Sequence, residues 1–280
     1  MKVSIIGAGT MGIGIAQVVL DAGHDVTLVS DTEASLKNGV ERLRSNLDKA
    51  ISKGAMAPAK KEDCLKRLST SSSISEVAGS VIVIEAVPED ADVKKSVISN
   101  AERYVSVDAV IATNTSSISI SALSKCLANP ERFLGLHFFN PAPVMKVIEL
   151  VRGEKTSDDT LKKSLDFAKS LGKTPAEVKD SPGFISNRIL MIYLNESINA
   201  LDQRIASRET IDTIARLGFS HPMGPLELAD FIGLDVCKDI MEAIYSQSND
   251  DKFKPSPLLA RMVREGRLGR KNKKGFYDYP

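Results

Sequence analysis

Residues 2–31 read KVSIIGAGTMGIGIAQVVLDAGHDVTLVSD, and the order of residue types in this stretch decides the fold. A short apolar run, Val3, Ile5 and Ile6, meets Gly7-Ala8-Gly9-Thr10-Met11-Gly12, and a helical pattern of Ile15, Ala16, Val18 and Val19 follows at once. A second β-type run, Val26 to Val29, ends at Ser30-Asp31. This acid stands about 20 residues beyond the glycines, as a dinucleotide-binding strand, turn and helix require. Gly7 permits the tight turn, Gly9 lets backbone N–H groups approach a pyrophosphate, and Gly12 lets the helix lie close to the strand, its N-terminus adding a positive dipole end. Asp31 is placed to accept hydrogen bonds from a ribose diol and to repel a 2'-phosphate, which favours NAD. Ser30 and Thr32 are small and polar and leave NADP open.

The 280 residues suffice for two domains, each with its own core. With 42% hydrophobic and 26% charged residues the chain reads as a folded globular protein. Its 37 Lys and Arg nearly balance its 36 Asp and Glu, so no overall field recruits nucleic acid or an anionic membrane, and any anion site must be local. Cys64, Cys126 and Cys237 are widely spaced and form no Cys-x-x-Cys pair, which argues against a zinc site and a disulfide framework. They read as reduced thiols of a cytosolic protein. The first strand begins at residue 2, leaving no room for a secretory leader, and no apolar run approaches bilayer length. A cleaved organellar peptide ahead of it stays compatible with this reading.

After Asp31 a polar helix is expected over Glu33 to Lys53, with Leu36, Val40, Leu43, Leu47 and Ile51 on one face and a stop at Gly54. A second helix over Lys60 to Leu68 would complete a helical hairpin inserted into the nucleotide-binding unit. This hairpin is either a solvated amphipathic pair or an arm whose cations meet the phosphates of a second ligand. Val81 to Val87, nearly all apolar, reads as a strand covered on both faces. A helix over Asp90 to Tyr104 and a strand over Ala109 to Ala112 follow, running into Thr113-Asn114-Thr115-Ser116-Ser117. This alternation predicts an α/β, doubly wound Rossmann-type sheet with ligands beyond the carboxyl ends of its strands, where Glu89, Lys94 and Asn114 to Ser116 all fall. Arg132 to Phe139 is β-like, Asn140-Pro141-Ala142-Pro143 breaks it, and Lys146 to Val151 returns. Asp180-Ser181-Pro182-Gly183 marks a boundary between an NAD-binding domain, residues 1–180, and an all-helical C-terminal substrate and dimerisation domain, residues 184–280. Helices are expected there over Phe184 to Leu201, Arg208 to Leu217, Leu226 to Ile232 and Val236 to Tyr245. Apolar residues on several sides of the first point to a central or dimer-forming helix. The basic run Gly269 to Gly275 reads most simply as a solvated tail.

Among the three histidines, His24 and His221 lie in turns. His137 instead ends a strand, and alternation in the returning strand places Glu149 between Val147 and Val151 on one face. A carboxylate among apolar neighbours needs a partner. A histidine oriented by a carboxylate is suited to removing an alcohol proton, because the neighbouring charge stabilises the cation that forms. Spacing alone leaves a structural His–Glu pair equally open, and the dinucleotide motif in the same domain favours catalysis.

The motifs GAGTMGIGIAQ, Asn114-Thr115-Ser116-Ser117, GLHFFNPAPVMKVIEL, DSPGFISNRIL, HPMGPLELADFIGLD and GRKNKKGFYDY, in order from Lys2 to Tyr279, resemble the L-3-hydroxyacyl-CoA dehydrogenase family, especially its short bacterial 3-hydroxybutyryl-CoA members. The resemblance implies a catalytic pair at His137 and Glu149, substrate-polarising groups at Ser116, Asn140 and Asn187, and a 3-hydroxyacyl-CoA or 3-oxoacyl-CoA partner. It implies NAD contacts at Gly7, Ala8, Gly9, Thr10, Met11, Gly12, Asp31, Glu89, Lys94, Ser116, Asn140 and Lys271, with no metal. The implied reaction is proton removal from a 3-hydroxyl by His137 with hydride transfer to NAD, while Glu149 stabilises the imidazolium. The Glu33 to Lys53 arm does not match cleanly, so Lys53 and Arg42 are no more than candidates for holding the coenzyme A phosphates. Related two-domain dehydrogenases of free β-hydroxy acids use a lysine on the first helix of the second domain, where this chain has Asn187-Arg188. A non-catalytic dinucleotide-binding relative would have no need of His137 and Glu149.

Overall fold

In the computed structural model, which describes Met1–Pro280, the apolar runs quoted above become strands of one eight-stranded sheet. The chain divides into two compact units, Met1–Asp180 and Ser181–Pro280. In the first, β1 (Lys2–Ile6), α1 (Thr10–Asp21) and β2 (Asp25–Val29) form the opening strand, helix and strand. There follow α2 (Glu33–Ser52), α3 (Pro58–Lys66) and β3 (Leu68–Ser71), then β4 (Ile82–Glu85), α4 (Ala91–Glu102) and β5 (Val110–Thr113). The unit ends with α5 (Ile120–Ser124), β6 (Phe133–Phe138), β7 (Val147–Arg152), α6 (Asp158–Ser170) and β8 (Thr174–Lys179).

The strand order is β3-β2-β1-β4-β5-β6-β7-β8. Neighbours run parallel except β6 and β7, which pair antiparallel. The chain winds outward from β1 to β3 and then returns to lay β4 on the other side of β1. The order therefore reverses between β1 and β4, the place where loops beyond the strand ends of such sheets diverge to form a ligand crevice. The core follows from composition: Ile5, Leu28 and Ile84 on the strands and Ile13, Ile15 and Val19 on α1 are wholly excluded from water. On α2 the expected stripe holds for Leu36, Leu43 and Leu47, and Thr32 accepts a hydrogen bond from the Ser35 N–H to start the helix. Lys61 of α3 meets Asp48 of α2 at 2.5 Å.

Some boundaries move. The second helix of the arm starts and ends two residues before the expected span because Pro58, which lacks an N–H, is suited to the first turn. Its end frees Leu68–Ser71 for β3, and β8 is a further strand beyond the expectation.

The second unit is helical: α7 (Ser186–Asp202), α8 (Arg208–Gly218), α9 (Pro225–Ile232), α10 (Leu234–Ser248) and α11 (Pro257–Arg264). Its core gathers Met191, Leu194, Leu226, Leu234, Met241 and Leu259. The C-terminal run is not a solvated tail. Asp230 of α9, wholly buried, accepts from the Phe276 and Tyr277 N–H groups at 2.8 and 2.9 Å and from the Tyr279 hydroxyl at 3.0 Å. Gly275 passes so close that a Cβ would stand 1.9 Å from Asp230 Oδ1. Asp212, equally buried, caps α9 through the Leu226 N–H at 2.8 Å and accepts from the Tyr277 hydroxyl at 2.8 Å. No helix is long and apolar enough to cross a membrane.

Candidate active site

The crevice at the β1/β4 reversal is built from the backbone first. Gly7, at φ +117°, turns so tightly against β4 that a Cβ would lie 2.5 Å from the Ala86 carbonyl oxygen. Gly12 sits against the same turn, its would-be Cβ only 1.8 Å from the Gly7 carbonyl oxygen, so α1 can approach β1 only with glycine there. Position 9 is open, since a Cβ would meet nothing within 4 Å. No side chain caps α1, so its first N–H groups face the space beyond the turn. A dinucleotide pyrophosphate fits this combination. Asp31 is exposed at the end of β2, in hydrogen-bond range of the Ser30 hydroxyl. Arg42 of α2 donates to the Thr10 hydroxyl at 3.2 Å, which puts this guanidinium at the glycine turn. Lys53 caps α2 as an exposed residue, and Arg44 and Lys49 line an open groove of about 580 Å³ along the same helix.

Beyond β4 and β5 lies a polar network that neither strand's pattern announces. Glu85, 1% exposed, accepts from the Val87 N–H at 2.7 Å, the Lys94 ammonium at 2.8 Å and the Thr113 hydroxyl at 2.6 Å. Lys94, equally buried, also reaches Glu89 at 3.2 Å and the Val87 carbonyl at 3.2 Å. Glu89 Oε1 in turn collects the Ser116 N–H at 2.9 Å, the Ser117 N–H at 3.1 Å and the Ser117 hydroxyl at 2.9 Å, with the Thr115 hydroxyl. Burial alone would raise the Glu89 carboxyl, but the Lys94 charge and these hydrogen bonds outweigh it and hold it below the ordinary carboxylate range. The Lys94 ammonium thus sits among oxygens of Glu85, Glu89 and Val87, next to the turn that carries Ser116.

The next strand end carries the histidine. The register of β6 and β7 sets His137 directly opposite Glu149, and His137 Nδ1 lies 2.7 Å from Glu149 Oε2. Both side chains are buried, Glu149 at 2% exposure, so the pair is shielded from competing water. With Glu149 ionised, this contact favours the tautomer that carries the proton on Nδ1 and leaves Nε2 as the acceptor. The Asn114 side-chain carbonyl accepts from the Phe138 N–H at 2.9 Å and joins this strand end to the Asn114–Ser117 turn. Asn140 follows in an exposed loop, and Lys173 holds that loop by donating to the Ala142 and Met145 carbonyls at 2.8 and 2.6 Å. The sheet thus brings Gly7–Gly12, Glu89, Ser116 and His137 to one edge, the carboxyl ends of β1, β4, β5 and β6. Asn187 lies in the first turn of α7, and Lys271 pairs with Asp235 of α10, both within the second unit.

Residues 2–181 match the NAD-binding domain of 3-hydroxyacyl-CoA dehydrogenases, and residues 183–279 match the C-terminal domain of the same enzymes. The chain belongs to the 3-hydroxyacyl-CoA dehydrogenase family. As a member of that family it is an NAD-dependent oxidoreductase, and the glycine turn is part of its NAD-binding domain. The chain is 42% identical over 279 residues to a 3-hydroxybutyryl-CoA dehydrogenase of Clostridioides difficile, covering 100% of this chain and 99% of the relative. It is 40% identical to the human mitochondrial hydroxyacyl-coenzyme A dehydrogenase, covering 99% of this chain and 90% of the relative. The crystal structure of (S)-3-hydroxybutyryl-CoA dehydrogenase from Ralstonia eutropha superposes with a TM-score of 0.96 at 43% identity, covering 100% of this chain and 99% of that one.

Two structural features beside the site were not anticipated from the sequence, the Glu85 network and the Asn114 link. A lone acid closing the apolar run Ile82–Ile84 was the available signal for the first. Such an acid inside a covered strand must find a partner.

Proposed function

We propose that the chain interconverts (S)-3-hydroxybutyryl-CoA and acetoacetyl-CoA with NAD(H), using His137 as the base and Glu149 as its support. The observation that carries this reading is the buried 2.7 Å contact between His137 and Glu149 at the edge of an NAD-binding sheet. The four-carbon substrate is supported by the names of the relatives from Clostridioides difficile and Ralstonia eutropha.

His137 Nε2 takes the proton of the substrate 3-hydroxyl. Glu149 holds the Nδ1–H, fixes the tautomer and balances the imidazolium as it forms. In the opposite direction the protonated His137 returns the proton. Ser116, Asn140 and Asn187 donate hydrogen bonds to substrate oxygens, and Asp31 selects NAD over NADP by meeting the ribose diol. NAD, when bound, supplies the hydride acceptor, and the protein contributes position and electrostatics.

The working form is a homodimer joined through the helical unit, supported by exposed apolar side chains there: Ile189 on α7, Leu217 on α8 and Phe219 beside it. A cytosolic setting is supported by three free cysteines, with burial pushing the Cys237 thiol up to about 12.

The test is oxidation of NADH and NADPH with acetoacetyl-CoA set against free acetoacetate, followed by short-, medium- and long-chain 3-oxoacyl-CoA esters. We expect turnover with NADH and the coenzyme A ester, highest with the shortest chain. Equal turnover of free acetoacetate would remove coenzyme A from the reading, and higher efficiency with NADPH would remove Asp31 as the selector.

A further inference from the structure

We propose that Glu85 is a positioning residue for this reaction, holding the turn that carries Ser116 through two separate chains of hydrogen bonds. The proposal rests on the reading of Ser116 as a substrate contact.

The first chain runs along β5. Glu85 Oε2 accepts from the Thr113 hydroxyl at 2.6 Å, and the Thr113 oxygen accepts from the Thr115 N–H at 3.2 Å. The second runs through α4. Glu85 Oε1 fixes the Lys94 ammonium at 2.8 Å, Lys94 reaches Glu89 Oε2, and Glu89 Oε1 gathers the N–H groups of Ser116 and Ser117. Both chains start from one carboxylate that is 1% exposed, and both end on consecutive residues of one turn. Glu85 also accepts from the Val87 N–H, so the same carboxylate ties the loop after β4 to the turn after β5.

A buried carboxylate is costly unless it is fully partnered. Stability alone could be served by apolar residues replacing Glu85 and its buried partner Lys94 together. What the carboxylate adds is a fixed spacing between two loops at the reversal point of the sheet, and the backbone on which Ser116 stands is held from both sides. Once one chain is cut, the turn keeps its sequence and loses its aim, and a shift of about 1 Å in a reacting group costs on the order of a hundredfold in rate.

The experiment uses the full chain with Glu85→Gln, Glu85→Leu and Thr113→Val. Glutamine keeps the shape and can still accept from Lys94 or from Thr113, while valine removes only the hydroxyl link. The readouts are kcat and KM with acetoacetyl-CoA and NADH, the melting temperature, and amide hydrogen exchange over residues 113–118. We expect kcat to fall about ten- to hundredfold in Glu85→Gln and Thr113→Val with KM changed less than threefold, together with faster exchange confined to the turn. Glu85→Leu should be worse than Glu85→Gln, and if it fails to fold the other two variants still decide. A kcat within twofold of the parent in both, or unchanged exchange across the turn, would overturn the proposal, and so would a lowered melting temperature without either effect. Ser116→Ala is measured beside them. An unchanged kcat in that variant would remove Ser116 from the substrate contacts, while the exchange data on Glu85→Gln would still report whether Glu85 holds the turn.

Discussion

His137 and Glu149 are twelve residues apart in sequence and meet because an antiparallel register places them opposite each other. If the carboxylate works through the imidazole, Glu149→Gln lowers kcat while leaving KM for both substrates nearly unchanged, since the interaction strengthens only as the ring becomes charged. His137→Ala is expected to lose about 10² to 10⁴ in kcat and Glu149→Gln the same or somewhat less. In the double variant the losses should not add, because without the imidazole the carboxylate has nothing to support. A double-mutant cycle on kcat at fixed pH, with folding followed by circular dichroism, checks this, and fully additive losses would end the pairing as a catalytic unit. This pair was legible in the sequence because strand alternation has a strict period of two. The Glu85–Lys94–Glu89 network was not, since it joins a strand end, a helix and a loop whose meeting no spacing encodes.

Among the elements, those carrying two apolar faces or a glycine turn were readable, and those at the margins were not. β3 has the sequence Leu-Ser-Thr-Ser and β8 the sequence Thr-Pro-Ala-Glu-Val-Lys, and both are edge strands with a single neighbour. An edge strand needs no continuous apolar run and tolerates a proline, so it resembles loop sequence. The first turn is the opposite case, where composition and geometry allow one answer. Gly12→Ala would drive a Cβ to 1.8 Å from the Gly7 carbonyl oxygen and prise α1 away from β1. We expect a stability loss of about 1 to 3 kcal/mol, the usual range for overpacking, and a larger proportional loss of NADH affinity. Thermal unfolding and calorimetric titration with NADH would measure the two separately. A variant that binds NADH like the parent would show that the close approach of helix and strand is not what forms the pyrophosphate site.

For the molecule as a whole, the helical unit leaves Ile189 62% exposed, Leu217 80% and Phe219 60%. Isolated apolar side chains on a surface are ordinary, and the proposed dimer is the reading under which these would be covered. Light scattering is expected to report a dimer at micromolar concentration, and Leu217→Lys with Phe219→Asp to shift it to a monomer with its circular dichroism spectrum retained. A parent chain that is already monomeric would assign those side chains to the solvent. The other whole-molecule feature is the way the C-terminal segment is fastened. Asp230 takes its donors from Phe276, Tyr277 and Tyr279, and Tyr277 also serves Asp212. On a translating ribosome this sets a timetable. The nucleotide-binding sheet has all eight strands once Lys179 has emerged and can close while synthesis continues, in keeping with domains folding as units from the N-terminal side. The helical unit must wait, with Asp230 lacking its donors, until residues 276–279 appear, so the first 180 residues can mature while these hundred are still being made, and the helical unit closes only once its own last segment has arrived.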